Sequence, residues 1–276
     1  EDLFKKITVL PDGKNHGLIF ILDWSGSMSR VLEDTLKQLY NLIWFCKKVQ
    51  IPFDVYAFTS EYRNRVQLSR LDYYDRLKTE KIQHCERKEG FLHVDCEFNL
   101  LHFFSGETNA KTLESQMINV WRTAYAFRNR TVYTYPPELV LSGTPLNESL
   151  VALHQIIPEF QTKHGVEKVQ CIILTDGEGS QLTYNNLVQR HWEDDEFLGC
   201  SSCHGDRSFL RDRKLGKTYK LPNGYFKFTD ALLRNLKDRF PSTNFIGIRV
   251  LEGRDARYFI GHYHPYDDKM MSDWKK

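Results

Sequence analysis

Asp23-Trp24-Ser25-Gly26-Ser27 places a carboxylate and two hydroxyls at positions i, i+2 and i+4 of one short stretch. Three hard oxygens this close together suit Mg²⁺ or Mn²⁺, which take oxygen ligands in near-octahedral geometry. Two more oxygen donors stand in comparable settings. Thr144 lies in Ser142-Gly143-Thr144-Pro145-Leu146, and Asp176 in Ile173-Leu174-Thr175-Asp176-Gly177. Five oxygens from three loops would hold a cation and leave one coordination position for an incoming carboxylate or substrate oxygen. Each piece alone has a plainer explanation. Thr144 before Pro145 reads as a helix N-cap with proline at N1. Ser27 or Ser29 could cap a helix, and Asp176-Gly177 is a common turn pair. Their order along the chain, with all five at one end of a sheet, favours the metal site.

A second group is Cys200-Ser201-Ser202-Cys203-His204. C-x-x-C-H is the attachment string of c-type haem, but no export route or distal axial ligand accompanies it. Two thiolates and a histidine in this spacing better suit Zn²⁺. A structural zinc site wants four ligands, and His191 or the Cys85, His93 and Cys96 group could supply the fourth. No second C-x-x-C exists, so the plainer reading, surface thiols in a mobile loop, is preferred. His102, His262 and His264 carry no assigned role.

The elements that must position these residues follow from hydrophobic pattern. Five apolar runs read as strands: Gly17–Leu22, Phe53–Phe58, Asn99–Phe104, Val169–Leu174 and Phe245–Val250. Leu18–Leu22 and Cys171–Leu174 are continuously apolar, as expected of strands buried on both faces in a parallel sheet. Leu32, Leu36, Leu39 and Ile43 recur at helical steps, predicting a helix to about Val49. Leu146, Leu150, Leu153 and Ile157 predict another, ended at or shortly after Pro158. Residues 111–128 read as helical, and Leu232, Leu233 and Leu236 mark a shorter helix before Pro241. Strands alternating with such helices predict an α/β fold, a doubly wound and largely parallel central sheet with helices on both faces. Residues 61–97 and 177–228 break the alternation and read as two insertions in a single domain, at the sheet edge or its functional end. The second contains an acidic run, Glu193–Glu196, and a basic run from Arg207 to Lys220, the latter read as a solvated loop face.

Composition narrows the function. The chain has 276 residues, 41% hydrophobic and 27% charged, with a formal net charge of +2. That balance is typical of soluble globular domains and lacks the basic excess of a general nucleic-acid binder. With a mean hydropathy of −0.50 and no long apolar run, no membrane span is expected. Glu1–Lys6 does not read as a signal peptide. Six sparse cysteines, two of them in apolar patterns, fit a reducing cytoplasmic compartment. There is no G-x-x-x-x-G-K-[ST], G-x-G-x-x-G, H-E-x-x-H or G-x-S-x-G signature. An aspartyl phosphotransferase would need an acid where Ser25 stands, and a hydroxyl cannot act as general acid near neutral pH.

At Asp23-x-Ser25-x-Ser27, Thr144 and Asp176 the sequence resembles the von Willebrand factor A (VWA) family, whose metal-ion-dependent adhesion site uses this set. Gly143-Thr144-Pro145-Leu146 and Thr175-Asp176-Gly177 look most like the VWA subunits of AAA+ metal chelatases of the cobaltochelatase type and of MoxR-associated complexes. The resemblance covers roughly residues 17–60, 98–176 and 229–251. It implies a protein-interaction module rather than an enzyme in its own right. Its Mg²⁺ would engage an acidic side chain of a partner, an AAA+ ATPase. The alternative is a metal-dependent hydrolase acting at the same Asp23 and Asp176 site.

Overall fold

Leu18-Ile19-Phe20-Ile21-Leu22 carries apolar side chains toward both faces, and strand β1 (His16–Asp23) accordingly lies at the centre of a five-stranded sheet. The computed structural model describes residues 15–60, 87–94, 97–129, 136–189, 196–203, 207–221 and 228–252. Strand β1 pairs in parallel with β2 (Phe53–Ser60) on one side and β5 (Lys168–Thr175) on the other. Beyond β5 lies β10 (Thr243–Arg249), also parallel, and beyond β2 lies β4 (Phe98–Ser105), which is antiparallel. The order is therefore β10-β5-β1-β2-β4, a mixed α/β architecture around a mostly parallel sheet. All five expected strands are present, and only the β4 edge departs from parallel pairing.

Alternate residues of β1 enter two different cores, which is why its sequence shows no polar alternation. Phe20 and Leu22 join Val55 and Ala57 against α1 (Leu32–Val49) and α2 (Ala110–Asn129). Ile19 and Ile21 join Cys171 and Ile173 against α3 (Leu146–His164) and α4 (Phe228–Arg239). Helices α1, α3 and α4 present their spaced leucines to one of these cores, and α2 presents Leu113, Met117 and Val120.

Helix α3 does not stop at Pro158 but continues through it to His164. Proline has no N–H for the His154 carbonyl, at a cost of about 3 kcal/mol in a helix interior. Ile157 and Phe160, 0% and 2% exposed, lie on either side of it in the core. Burial of each contributes roughly 1.5–3 kcal/mol, so packing wins over the broken ladder. The helix ends instead at Gly165, whose φ of 62° is left-handed and whose N–H bonds the Gln161 carbonyl. A Cβ on Gly165 would meet nothing within 4 Å. Gly165→Ala should therefore cost about 1 kcal/mol through backbone strain alone, measurable by urea unfolding.

The two segments outside the strand–helix alternation are joined to each other. Strand β3 (Leu92–His93) from the first pairs antiparallel with β6 (Thr183–Gln189) from the second, and β6 pairs with β7 (Glu196–Ser202). Buried Val94, Leu182, Cys203 and Leu221 join the core beneath α3 and α4. His93 Nδ1 lies 3.0 Å from Asn185 Oδ1, a buried polar contact across the two segments.

The basic run is also not a loop. It forms a hairpin of β8 (Phe209–Asp212) and β9 (Lys217–Lys220). Asp212 latches it to α4: its carboxylate accepts from the backbone N–H groups of Lys214 and Leu215 at 2.9 and 3.0 Å. Arg239 Nη1 donates to both Asp212 oxygens at 2.7 and 2.9 Å, and Asn235 Nδ2 donates to Oδ2 at 2.9 Å. Among the described residues no helix is long and apolar enough to cross a membrane.

Candidate functional site

Strands β1 and β5 end side by side at Asp23 and Thr175, at the carboxyl edge where parallel sheets place ligands. Trp24 anchors the loop after Asp23. It is wholly buried in the α1/α2 core, its ring edge-on to Phe103 at a centroid distance of 5.0 Å. Its Nε1 donates to the Leu139 carbonyl at 2.8 Å, and its backbone N–H to the Phe58 carbonyl at 2.9 Å.

Ser25 forms a parallel bridge with Ser142, and the Gly26 N–H bonds the Ser142 carbonyl at 2.9 Å. The first loop is thereby fastened to the segment carrying Thr144. Gly143 leaves room here for Ser60: a Cβ would lie 2.6 Å from Ser60 Oγ, and the serine would have to turn aside. Thr144 borders the third loop: a Cβ on Gly177 would sit 3.6 Å from the Thr144 methyl.

Asp176 and Gly177 do form a turn, closed by the Gly177 N–H on Thr175 Oγ1, but the helix-capping explanations fail on geometry. Helix α3 begins at Leu146 with Pro145 at its N-cap and no side-chain capping bond, so Thr144 is not its cap. Residues Ser27–Arg30 form a 3-10 turn, and α1 begins after Val31, also without a side-chain cap. The Ser27 hydroxyl instead donates to Asp176 Oδ1 at 2.9 Å and lies 3.0 Å from Ser25 Oγ. Asp23, Ser25, Ser27 and Asp176 are thus brought to one place, with Thr144 against the same turn.

Asp23 is fully buried, and Thr175 Oγ1 donates to its Oδ2 at 2.6 Å. Burial pushes its carboxyl up to about 6; Thr175 and Ser25 oppose the rise, and the charge of Asp176 adds to it. Ser25 approaches the carboxylate, yet Oδ1 itself has no hydrogen-bond partner. A buried, unsatisfied oxygen on a charged group costs several kcal/mol unless something positive meets it. A divalent cation fits these residues: every donor is a hard oxygen, the set carries two formal negative charges, and one oxygen lacks a donor. Among the described residues no group of three or more His, Cys, Asp or Glu could hold a metal ion. The present set differs in kind, with two carboxylates and three hydroxyls.

The zinc group is not assembled among the described residues. Cys200 is half-buried in β7 opposite Asn185, and Cys203 is buried in the α3/α4 core, so neither sits in a surface loop. Burial pushes the Cys203 thiol up to about 11, away from the thiolate a metal needs. His93 bonds Asn185, and His204, His191, Cys85 and Cys96 lie outside the described residues.

Two positioning residues carry no sequence signal of their own. Thr175 orients Asp23, and its Oγ1 also accepts the Gly177 N–H at 3.1 Å, closing the turn that presents Asp176. Its place directly before Asp176 at a strand end was the available hint. Asn147 is 0% exposed; its amide donates to the Ser180 carbonyl and accepts from Thr229 Oγ1 at 2.8 Å. It ties the chain after Asp176 to α3 and α4.

No family model matches the chain, and no curated protein sequence matches it. Two solved structures of the pilus adhesin SpaC from Lactobacillus rhamnosus GG, one in an open conformation, are similar to it. Their TM-scores are 0.42 and 0.41, with 13% and 14% sequence identity. The matches cover 85% and 86% of this chain and 24% of the adhesin, so the chain spans about a quarter of the adhesin's length.

Proposed function

We propose that the chain is a VWA-type, doubly wound domain whose Asp23, Ser25, Ser27, Thr144 and Asp176 hold Mg²⁺, or Mn²⁺ in its place, to dock an acidic side chain of a partner protein. The partner class is an AAA+ ATPase of a chelatase- or MoxR-like remodelling complex. The observation that carries this reading is the buried Asp23, whose Oδ1 has no donor while Asp176 and two serine hydroxyls gather beside it. Bound there, the ion would act as a Lewis acid toward a carboxylate oxygen. Two carboxylates balance its charge, so an incoming carboxylate meets a formally neutral centre.

The chain's own residues prepare this centre. Trp24 fixes the first loop, the Ser25–Ser142 bridge joins it to the second, and Thr175 holds Asp23. Ser27 to Asp176 closes the first loop onto the third.

The test is calorimetry against an AAA+ ATPase of the chelatase or MoxR class from the same organism, in Mg²⁺ and in EDTA. Binding should weaken at least about tenfold in EDTA and in Asp176→Ala, the loss of one charge-assisted contact or more. Binding that is unchanged by both would overturn the docking role.

A further inference from the structure

Fourteen residues from Arg207 to Lys220 hold six cations, Arg207, Arg211, Arg213, Lys214, Lys217 and Lys220, and one acid, Asp212. The acid is turned inward. Asp212 is 8% exposed and spent on Arg239, Asn235 and two turn amides, so it neutralises nothing outside. Leu210 and Tyr219 point the same way, as does the ion pair of Lys217 with Asp238. The opposite face of the ribbon carries Phe209, Arg211, Thr218 and Lys220, paired across as Phe209 with Lys220 and Arg211 with Thr218. Among the described residues, Arg207, Arg211, Lys214 and Lys220 have no acidic partner within ion-pair distance. Two large apolar side chains stand among these charges: Phe209 is 60% exposed and Leu215, in the turn, 44%.

We propose that the outer face of the β8–β9 hairpin is a docking surface for an acidic segment of a partner protein, one that also carries apolar side chains for Phe209 and Leu215. Charge complementarity selects the partner's sign, and the exposed apolar pair supplies the anchors that interfaces place among charged rims. The ribbon is held rigid by Asp212, Arg239 and the Tyr219–Asp238 bond, so little ordering entropy is lost on binding. A polyanionic nucleic acid fits less well. Two strands of four residues span only ~14 Å, room for few phosphates, and Leu215 at the tip gains nothing from a phosphate backbone. The surface is separate from the Asp23 site and needs no metal.

The test compares a fluorescein-labelled peptide of repeated Asp-Glu-Leu with an oligothymidylate of equal charge, by anisotropy at about 150 mM salt. In EDTA, where the Asp23 site carries no ion to draw the peptide's carboxylates, the peptide should bind the wild-type chain more tightly than the oligothymidylate. The double variant Arg211→Glu/Lys220→Glu should lose roughly tenfold or more in affinity, and Phe209→Ser several-fold. Lys111→Glu, a single charge reversal on the exposed face of α2, should leave binding unchanged, whereas Arg211→Glu alone should already weaken it. Unaltered melting curves for the hairpin variants keep the comparison clean, since their side chains leave the core untouched. In EDTA, no peptide binding at that salt, an equal loss in Lys111→Glu, or tighter binding of the oligothymidylate would each overturn the proposal.

Discussion

In EDTA near neutral pH, Asp23→Asn unfolds at higher urea concentration than the wild-type chain, and added Mg²⁺ stabilises only the wild type. The first half follows from burial. The folded state holds the Asp23 carboxyl at about 6, against 3.8 for an ordinary aspartate. An acid raised in this way is disfavoured when ionised, so its contribution to stability is complete below about 4. It declines as pH rises through 6 and stays lost above. The gap corresponds to on the order of 3 kcal/mol, and a neutral amide avoids it. The wild-type chain in EDTA should therefore lose stability between about pH 4 and pH 6 while Asp23→Asn does not. The second half follows from mass action, since an ion that binds only the folded chain stabilises it in proportion to the logarithm of its concentration. Equal urea midpoints for the two proteins in EDTA, together with equal Mg²⁺ responses, would sink the assignment of Asp23 as a buried anionic ligand.

Asp212→Ala should cost about 3–5 kcal/mol, the range for removing one partner of a buried ion pair. Arg239, whose side chain is 16% exposed, would keep its charge with no carboxylate to face. Asn235 and the amides of Lys214 and Leu215 would lose their acceptor as well. Burial by itself would raise the Asp212 carboxyl, but the Leu215 amide, Asn235 and Arg239 outweigh it and hold the group at about 2. Because this pKa is depressed, the stabilisation is present above about 4 and is lost as pH falls toward 2. Amide exchange in the hairpin reports the local effect, with Arg211 and Thr218 opening faster than Ile19 or Ile172. Asp212→Leu combined with Arg239→Met should recover much of the loss, because no uncompensated charge then remains. A single variant that matches wild type in urea would show that the latch is not what fastens the hairpin.

Much of the central architecture was legible because burial on two faces writes itself into composition. Leu18–Leu22 and Cys171–Leu174 have no polar alternation because both faces of the sheet are covered, and the leucines of α1 and α3 step at helical spacing because one face of each is. The convergence of Asp23, Ser25, Ser27 and Asp176 was legible for another reason: each ends or follows a strand whose direction the pattern revealed. Asn147 and Thr175 were not, since one buried amide or hydroxyl has no period and no charge to mark it. The pairing of β3 with β6 was hidden as well. Two residues are too few to show alternation, and Thr183–Gln189 buries only Asn185 deeply. Pro158 misled because its local cost is visible in the sequence while the burial of Phe160 that outweighs it is not.

The joining of β3 to β6 also bears on the order in which the molecule assembles. Leu92 and Tyr184 are roughly ninety positions apart, and closing so long a flexible loop costs on the order of 4 kcal/mol in chain entropy. A two-residue strand returns far too few contacts to meet that cost by itself. Once β4 and β5 stand in the central sheet, however, only the short links from His93 to Phe98 and from Thr175 to Thr183 remain to be closed. The three-stranded sheet therefore forms after the sheet that carries Asp23, and it opens before that sheet does. Protection of Asn185 and Leu187 amides from exchange should accordingly be lower than that of Phe20 and Ile172, and the small β3–β6–β7 sheet can open while the central strands stay closed.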